Sequence, residues 1–158
     1  MTPEEASKKT LEQLLPLLKE GQAVEIHPQG SSMFPLLTEG RDSVMIQALD
    51  GTVPKRGDIL LYQRSSGLLV LHRVCRTRKE GYYFVGDNQT EVEGPLDFSQ
   101  LLGIVTQIRR KGRLFSVKHP VYQAVSRAWL FVRPIRHLIS RPIGILWRAI
   151  QNKLRRFL

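Results

Sequence analysis

A series of short apolar segments, each bounded by turn residues, constrains the fold of this chain most strongly. The segments are rich in Val, Ile, Leu and Tyr, and turns such as Asp50-Gly51 and Glu80-Gly81 separate them. No helical period of useful length runs through this region, so the pattern predicts a mainly β body with several hairpins. The predicted strands are Ala23–His27, Asp42–Gln47, Asp58–Gln63, Leu68–Thr77, Tyr82–Val85 and Leu102–Arg109.

The residues that precede this body predict one short helix over residues 1–21. Thr2 is a capping residue, Pro3 suits the first helical turn and Glu5 lies three residues after the cap. Pro16 is expected to kink or shorten the helix, and Gly21 to end it. An apolar stripe at helical spacing predicts a packing face, made of Leu11, Leu14, Leu15 and Leu18.

The charge distribution separates the end of the chain from the β body. Residues 1–97 contain 11 Lys and Arg and all 14 Asp and Glu, whereas residues 98–158 contain 13 Lys and Arg and no acid. From about residue 119, apolar residues recur at helical spacing between arginines, and Pro134 and Pro142 interrupt them. We therefore expect a β-rich domain over residues 22–118 and basic amphipathic helices over residues 119–158.

The basic segment admits three interpretations: binding to an anionic membrane surface, binding to nucleic acid, or packing on the domain. The membrane is favoured, because phosphate contacts to nucleic acid do not need an apolar stripe. The longest apolar run, Ala128–Val132, is too short to span a bilayer, and the first 20 residues resemble no signal peptide. We expect a peripheral, membrane-associated protein on the cytoplasmic side rather than a secreted one.

The most reactive local pattern is the turn Gly30-Ser31-Ser32-Met33-Phe34-Pro35. A glycine-led turn can project a serine and leave backbone N–H groups unpaired, and such groups can stabilise an oxyanion. A serine hydroxyl is a weak nucleophile without a base, so the turn alone is more typical of local capping than of a nucleophile. The hypothesis of nucleophilic catalysis therefore depends on a partner elsewhere in the chain.

His72 is the candidate base. It lies in a predicted strand with Val70 and Val74 on its own face, so burial should keep its imidazole neutral, as a general base requires. The alternative is a structural core histidine. Cys75 should point away from His72 and is interpreted as a buried apolar residue. Three carboxylates in the following loop are candidates to orient the ring: Asp87, Glu91 and Glu93.

Five segments together resemble the signal peptidase I family in the order in which that family carries them. The first looks like its Gly-x-Ser-Met-x-Pro-Thr-Leu box, and the others resemble its Arg-Gly-Asp-Ile-Val, His-Arg-Val, Gly-Asp-Asn and closing-strand segments. In this chain they are Gly30–Leu37, Arg56–Leu60, His72–Val74, Gly86–Asn88 and Gly103–Val105.

The resemblance implies a coiled β-sheet or barrel body and a serine endopeptidase that cleaves leader peptides after small residues. Ser32 would be the nucleophile, and His72 would replace the lysine base of many relatives, as in the endoplasmic-reticulum subtype. The family's spacing puts the orienting acid at Glu93, where an aspartate is usual, with Asp87 as the other candidate.

The same resemblance assigns the residues around the nucleophile. Gly30 stands where some relatives carry an oxyanion-hole serine, so the hole would use backbone N–H groups around Ser31 and Ser32. Met33 and Pro35 would line the substrate cleft. No metal or organic cofactor is implied, and the partner would be a peptide or preprotein substrate.

Three rival functions stay open at the level of sequence. The first is a leader protease dedicated to one client or to a peptide natural product. The second is a non-catalytic module of the same fold that binds membrane or nucleic acid. A LexA-like repressor is a weaker rival, because about 20 residues before the β body are too few for a helix-turn-helix domain.

Overall fold

The computed structural model of the chain describes residues 2–132, which form a mainly β domain with two helices. The helices are α1 (Pro3–Lys19) and α2 (Pro120–Phe131), and a single 3-10 turn covers Phe98–Gln100. The strands are β1 (Val24–Ile26), β2 (Asp42–Gln47), β3 (Ile59–Gln63), β4 (Leu69–Arg78), β5 (Gly81–Val85), β6 (Glu93–Leu96), β7 (Leu101–Arg110) and β8 (Arg113–Ser116).

All eight strands belong to one antiparallel sheet in the order β1-β2-β7-β3-β4-β5-β6, with β8 paired to β7. The long strand β7 pairs with β2, β3 and β8 and so connects the two parts of the sheet. Two apolar clusters form the core. One joins β2, β3 and β7 to α1, and the other gathers Leu60, Tyr62, Val74 and Phe84 beneath β5 and β6.

The first helix is capped as its sequence predicts. The Thr2 hydroxyl accepts from the Glu5 N–H, and the Glu5 carboxylate accepts from the Thr2 N–H. Pro16 does not end the helix, which continues to Lys19 and buries Leu14 and Leu18 in the core. Burial of Leu14 and Leu18 stabilises the last helical turn, although Pro16 has no N–H group to donate.

The structure confirms the mainly β class and all six predicted strands to within one or two residues at each end. It adds β6 and β8, which local pattern did not reveal. Strand β6 carries Gly94 and Pro95, both poor strand formers, and exists because it pairs with β5.

Neither helix described between residues 2 and 132 is long and apolar enough to cross a bilayer. The further helices predicted after α2, and most of the predicted membrane-binding segment, lie outside the described residues.

Candidate active site

The serine turn is anchored by two apolar side chains. Met33 and Leu37 are buried in the core, and the Leu37 N–H donates to the Met33 carbonyl oxygen at 2.8 Å. Gly30 begins the turn with φ +77°, a conformation that favours glycine. The local sequence thus fixes the backbone on both sides of Ser32.

A second turn clamps Ser32 from the opposite side. The Asn88 N–H donates to the Ser32 carbonyl oxygen at 2.8 Å. A Cβ atom on Gly86 would lie 2.6 Å from that same oxygen, closer than any real side chain approaches. Gly86 therefore permits the contact between the two turns, which are more than 50 residues apart in sequence.

One open cleft of about 470 Å³ contains both Ser32 and His72 on its walls. Met33 also lines this cleft, whereas Ser31 lines a separate hollow with Phe34, Thr38 and Glu39. The structure therefore distinguishes the two adjacent serines. Ser32 and His72 both lie in the described part of the chain, and there no hydrogen bond joins the Ser32 hydroxyl to the His72 ring. Catalytic pairs are often loose before substrate binds and tighten in the complex.

His72 is buried on β4 opposite Leu60 of β3, with only 4% of its surface exposed. Burial lowers its pKa to about 4, against a smaller opposing effect of the Glu93 carboxylate. The imidazole is therefore neutral near neutral pH, in agreement with the expectation from the sequence. The Cys75 thiol donates to the Tyr83 carbonyl oxygen at 3.3 Å.

Tyr62 connects His72 to Glu93. Its hydroxyl lies 3.1 Å from His72 Nδ1 and donates to Glu93 Oε2 at 2.7 Å. Burial, followed by the bond to Glu93, raises the pKa of Tyr62, so the phenol keeps its proton. The hydroxyl has one proton, which it directs into the hydrogen bond to Glu93, so the Tyr62 oxygen must accept from His72 Nδ1–H. This assignment leaves the lone pair on His72 Nε2 available to accept a proton.

Arg64 holds the Glu93 carboxylate in its ionised form. Its guanidinium donates through Nε and Nη2 to the two carboxylate oxygens at 2.6 and 2.7 Å. Burial alone would raise the pKa of Glu93, but the hydrogen bonds from Arg64 and Tyr62 outweigh it and lower that pKa. The charged end of this network is thus stable at neutral pH.

The structure discriminates among the three candidate acids. Glu93 Oε2 lies 4.0 Å from His72 Nδ1 and reaches the ring through Tyr62. Asp87 is fully buried but accepts from Arg73 at 2.8 and 2.7 Å, so its carboxylate serves a different ion pair. Glu91 is exposed. Glu93 is therefore the acid that the geometry associates with His72, through an intervening hydroxyl.

The Arg73–Asp87 pair lies under α2. Arg73 Nη1 donates to the Ser126 hydroxyl at 2.6 Å, and its Nη2 lies 3.3 Å from the Tyr122 hydroxyl. Trp129 Nε1 donates to the Asp87 carbonyl oxygen at 2.8 Å. The start of the predicted basic segment, α2, therefore packs on the β body and holds the turn that clamps Ser32.

Two backbone N–H groups beside the serine are candidates for an oxyanion hole. Those of Ser32 and Met33 donate to no acceptor within residues 2–132. The Gly30 N–H is engaged, because it donates to Glu39 Oε2 at 2.9 Å. Pro35 is not among the lining residues of the cleft, and its carbonyl oxygen accepts from Arg41 at 3.1 Å.

Sequence reasoning missed Tyr62 and Arg64. A tyrosine within the apolar run Ile59–Gln63 was the available signal, because a buried phenol requires a hydrogen-bond partner. Within residues 2–132, no group of three or more His, Cys, Asp and Glu side chains could hold a metal ion.

Comparison with known proteins adds no family assignment: no protein-family model and no curated protein matches this chain.

Proposed function

We propose that this protein is a serine endopeptidase of the signal-peptidase type, with Ser32 as nucleophile and His72 as general base. The observation that carries the proposal is the state of His72. It is a buried, neutral imidazole whose Nδ1 is engaged by Tyr62, on the wall of the cleft that also contains Ser32. The Tyr62 contact at Nδ1 leaves the Nε2 lone pair to accept a proton, as a general base requires.

The reaction begins when Ser32 Oγ attacks the carbonyl carbon of a peptide bond. The hydroxyl proton passes to His72 Nε2, and the N–H groups of Ser32 and Met33 stabilise the oxyanion. The imidazolium gives that proton to the leaving amine as the C–N bond breaks and an acyl-enzyme forms. Water then attacks the ester with His72 as base again, and the Ser32 hydroxyl is restored.

The residues that position His72 stabilise its charged form during the reaction. Nδ1–H donates to the Tyr62 oxygen, which donates to the Glu93 carboxylate held by Arg64. When Nε2 receives a proton, this hydrogen-bond network holds the negative charge of Glu93 near the new imidazolium. Burial makes His72 a weaker base, and the carboxylate offsets part of that cost.

The walls of the cleft support an apolar peptide substrate. Aliphatic side chains from β1, β3, β4 and the serine turn make up much of its lining, among them Ile26, Met33, Leu61, Leu69 and Leu71. Cleavage after small residues at the end of an apolar leader is the specificity that the resemblance to signal peptidase I implies. A protease dedicated to one leader has the same catalytic residues and differs only in substrate range.

The test compares the two adjacent serines. Full-length protein and its Ser32→Ala and Ser31→Ala variants are incubated with a library of apolar leader peptides, and the products are identified by mass spectrometry. Ser32→Ala and His72→Gln are expected to abolish cleavage. Ser31→Ala keeps its backbone N–H and removes a hydroxyl that faces another hollow, so it should retain cleavage.

Two results would overturn the proposal. Undiminished cleavage by Ser32→Ala would show that the nucleophile lies elsewhere. If no leader peptide is cut and Ser32 forms no adduct with a fluorophosphonate probe or a β-lactam, the fold serves as a non-catalytic module instead.

A further inference from the structure

The outward face of α2 is apolar along its whole length. The exposed residues recur at spacings of three and four, which places them on one side of the helix. Val121, Val125 and Phe131 have 65%, 48% and 81% of their surfaces exposed. We call this surface the α2 outer face; its residues are Val121, Ala124, Val125, Ala128 and Phe131.

The inner side of α2 already has its own packing partners. Tyr122 packs against the core, Leu130 is buried, and Tyr122, Ser126 and Trp129 form hydrogen bonds with the β body. A helix that packs on a soluble domain normally points its polar side outward. A contiguous apolar strip about 15 Å long is left uncovered by the described residues, and such strips mark interaction surfaces.

Cationic side chains flank the α2 outer face. Arg127 is exposed on α2 itself, and Arg56 joins it around a hollow that includes Ala128 and Phe131. Lys118 is exposed just before the helix, and no Asp or Glu follows Asp97 anywhere in the sequence. An apolar strip edged by cations matches the boundary between acyl chains and anionic headgroups.

We propose that the α2 outer face docks on the surface of an anionic lipid bilayer. Val121, Val125 and Phe131 enter the interfacial region, and Arg127 and Arg56 lie at the level of the phosphates. A nucleic acid would use the cations and leave the apolar strip exposed to water, so it fits the surface less well.

Docking at this face would bring the membrane close to the catalytic turns. The inner side of α2 bonds to Asp87, and the next residue, Asn88, bonds to the Ser32 carbonyl oxygen. Only the width of a helix, about 10 Å, separates the α2 outer face from these contacts. The inference does not depend on peptidase activity, because docking uses none of the catalytic side chains.

The experiment is flotation of full-length protein with vesicles that contain phosphatidylglycerol or with pure phosphatidylcholine vesicles. The test variant carries Val121→Gln, Val125→Gln and Phe131→Gln, which preserve helix propensity on exposed positions. The matched control carries Leu114→Gln and Val53→Gln, which remove exposed apolar side chains elsewhere. Circular dichroism and thermal unfolding check that both variants fold like the wild type.

The triple variant is expected to bind phosphatidylglycerol vesicles at least about tenfold more weakly, since three apolar side chains no longer leave water. The control should bind like the wild type, and Ser32→Ala should float normally even if peptidase activity is absent. Arg127→Gln should weaken binding to anionic vesicles and reduce its dependence on salt.

Three outcomes would overturn the inference. Wild-type flotation by the triple variant would mean that α2 does not contact lipid. Equal binding of the wild type to both vesicle types would show that binding does not depend on anionic headgroups. A wild-type dimer that the triple variant converts to monomer, with no vesicle binding, would make the same face a contact between two copies of the chain.

Discussion

Replacement of Tyr62 by Phe tests the hydrogen-bond network most directly. The change removes one hydroxyl from the buried cluster and keeps the ring, which packs against Phe84 with centroids 4.5 Å apart. His72 Nδ1 then loses its partner at 3.1 Å, while Arg64 still holds Glu93. The substitution therefore isolates the orientation of His72 from the packing of the core.

The expected magnitude follows from the desolvation of one N–H group. A buried donor left without an acceptor costs about 1–3 kcal/mol, and each 1.4 kcal/mol corresponds to about a tenfold change in an equilibrium. The Nδ1–H tautomer should therefore lose about 5- to 150-fold in population relative to the Nε2–H tautomer. Because a protonated Nε2 cannot accept the Ser32 proton, cleavage should fall by a similar factor.

Nitrogen NMR of the histidine side chains measures the tautomer without any substrate. The chain has four histidines, and His72→Gln identifies the signal of His72 by its disappearance. The wild type should show Nδ1 protonated and Nε2 bare at neutral pH, and Tyr62→Phe should shift the ring toward protonated Nε2. An unchanged tautomer in Tyr62→Phe, together with cleavage within twofold of the wild type, would refute the proposed role of Tyr62.

Three further predictions concern pH, the buried ion pair and the contact between the turns. Since burial lowers the pKa of His72 from its ordinary value of 6.5 to about 4, the unfolded chain binds a proton that the folded chain does not. The contribution of neutral His72 to the free energy of unfolding is thus fully present above pH 6.5 and falls by about 3 kcal/mol as the pH drops toward 4. Urea unfolding at pH 6.5 and at pH 4 should show a smaller loss in His72→Gln than in the wild type. Arg73→Met leaves the buried Asp87 carboxylate without its partner and should reduce the free energy of unfolding by about 3–5 kcal/mol. The double variant Arg73→Met with Asp87→Leu should recover much of this loss in the same urea titration. Equal stability of the single and double variants would contradict the pairing. Gly86→Ala places a methyl group against the Ser32 carbonyl oxygen, so it should lower the free energy of unfolding by about 1–3 kcal/mol and remove most of the cleavage activity. Normal activity in this variant would show that the two turns need not touch.

Local pattern predicts most of the sheet because each strand carries its own alternation and its own turns. Asp42–Gln47 has the predicted bounds for this reason. Strand β6 escaped prediction because Gly94 and Pro95 give it no strand propensity, and only pairing with β5 makes it a strand. Its placement depends on contacts that a single sequence does not display.

The candidate site also has a part with a local sequence signal and a part that depends on long-range pairing. Ser32 and His72 stand in recognisable local settings, so the sequence alone makes them candidates. The choice of acid requires the register of β6 on β5, which sets Glu93 opposite Phe84 and beside Tyr62. Arg73 has no local signal of burial either, because a strand arginine is ordinarily exposed and its partner Asp87 lies 14 residues away.

The neighbouring residues His72 and Arg73 make β4 sensitive to its register. Successive side chains of a strand point to opposite faces, so the imidazole meets the cleft while the guanidinium meets α2. A shift of β4 by one residue against β3 would exchange the two faces, placing a fixed cation beside the serine and the imidazole beneath the helix. A sheet mispaired in this way would therefore lose the arrangement on which the proposed catalysis depends, so the pairing of Leu60 with His72 is a structural condition for that proposal.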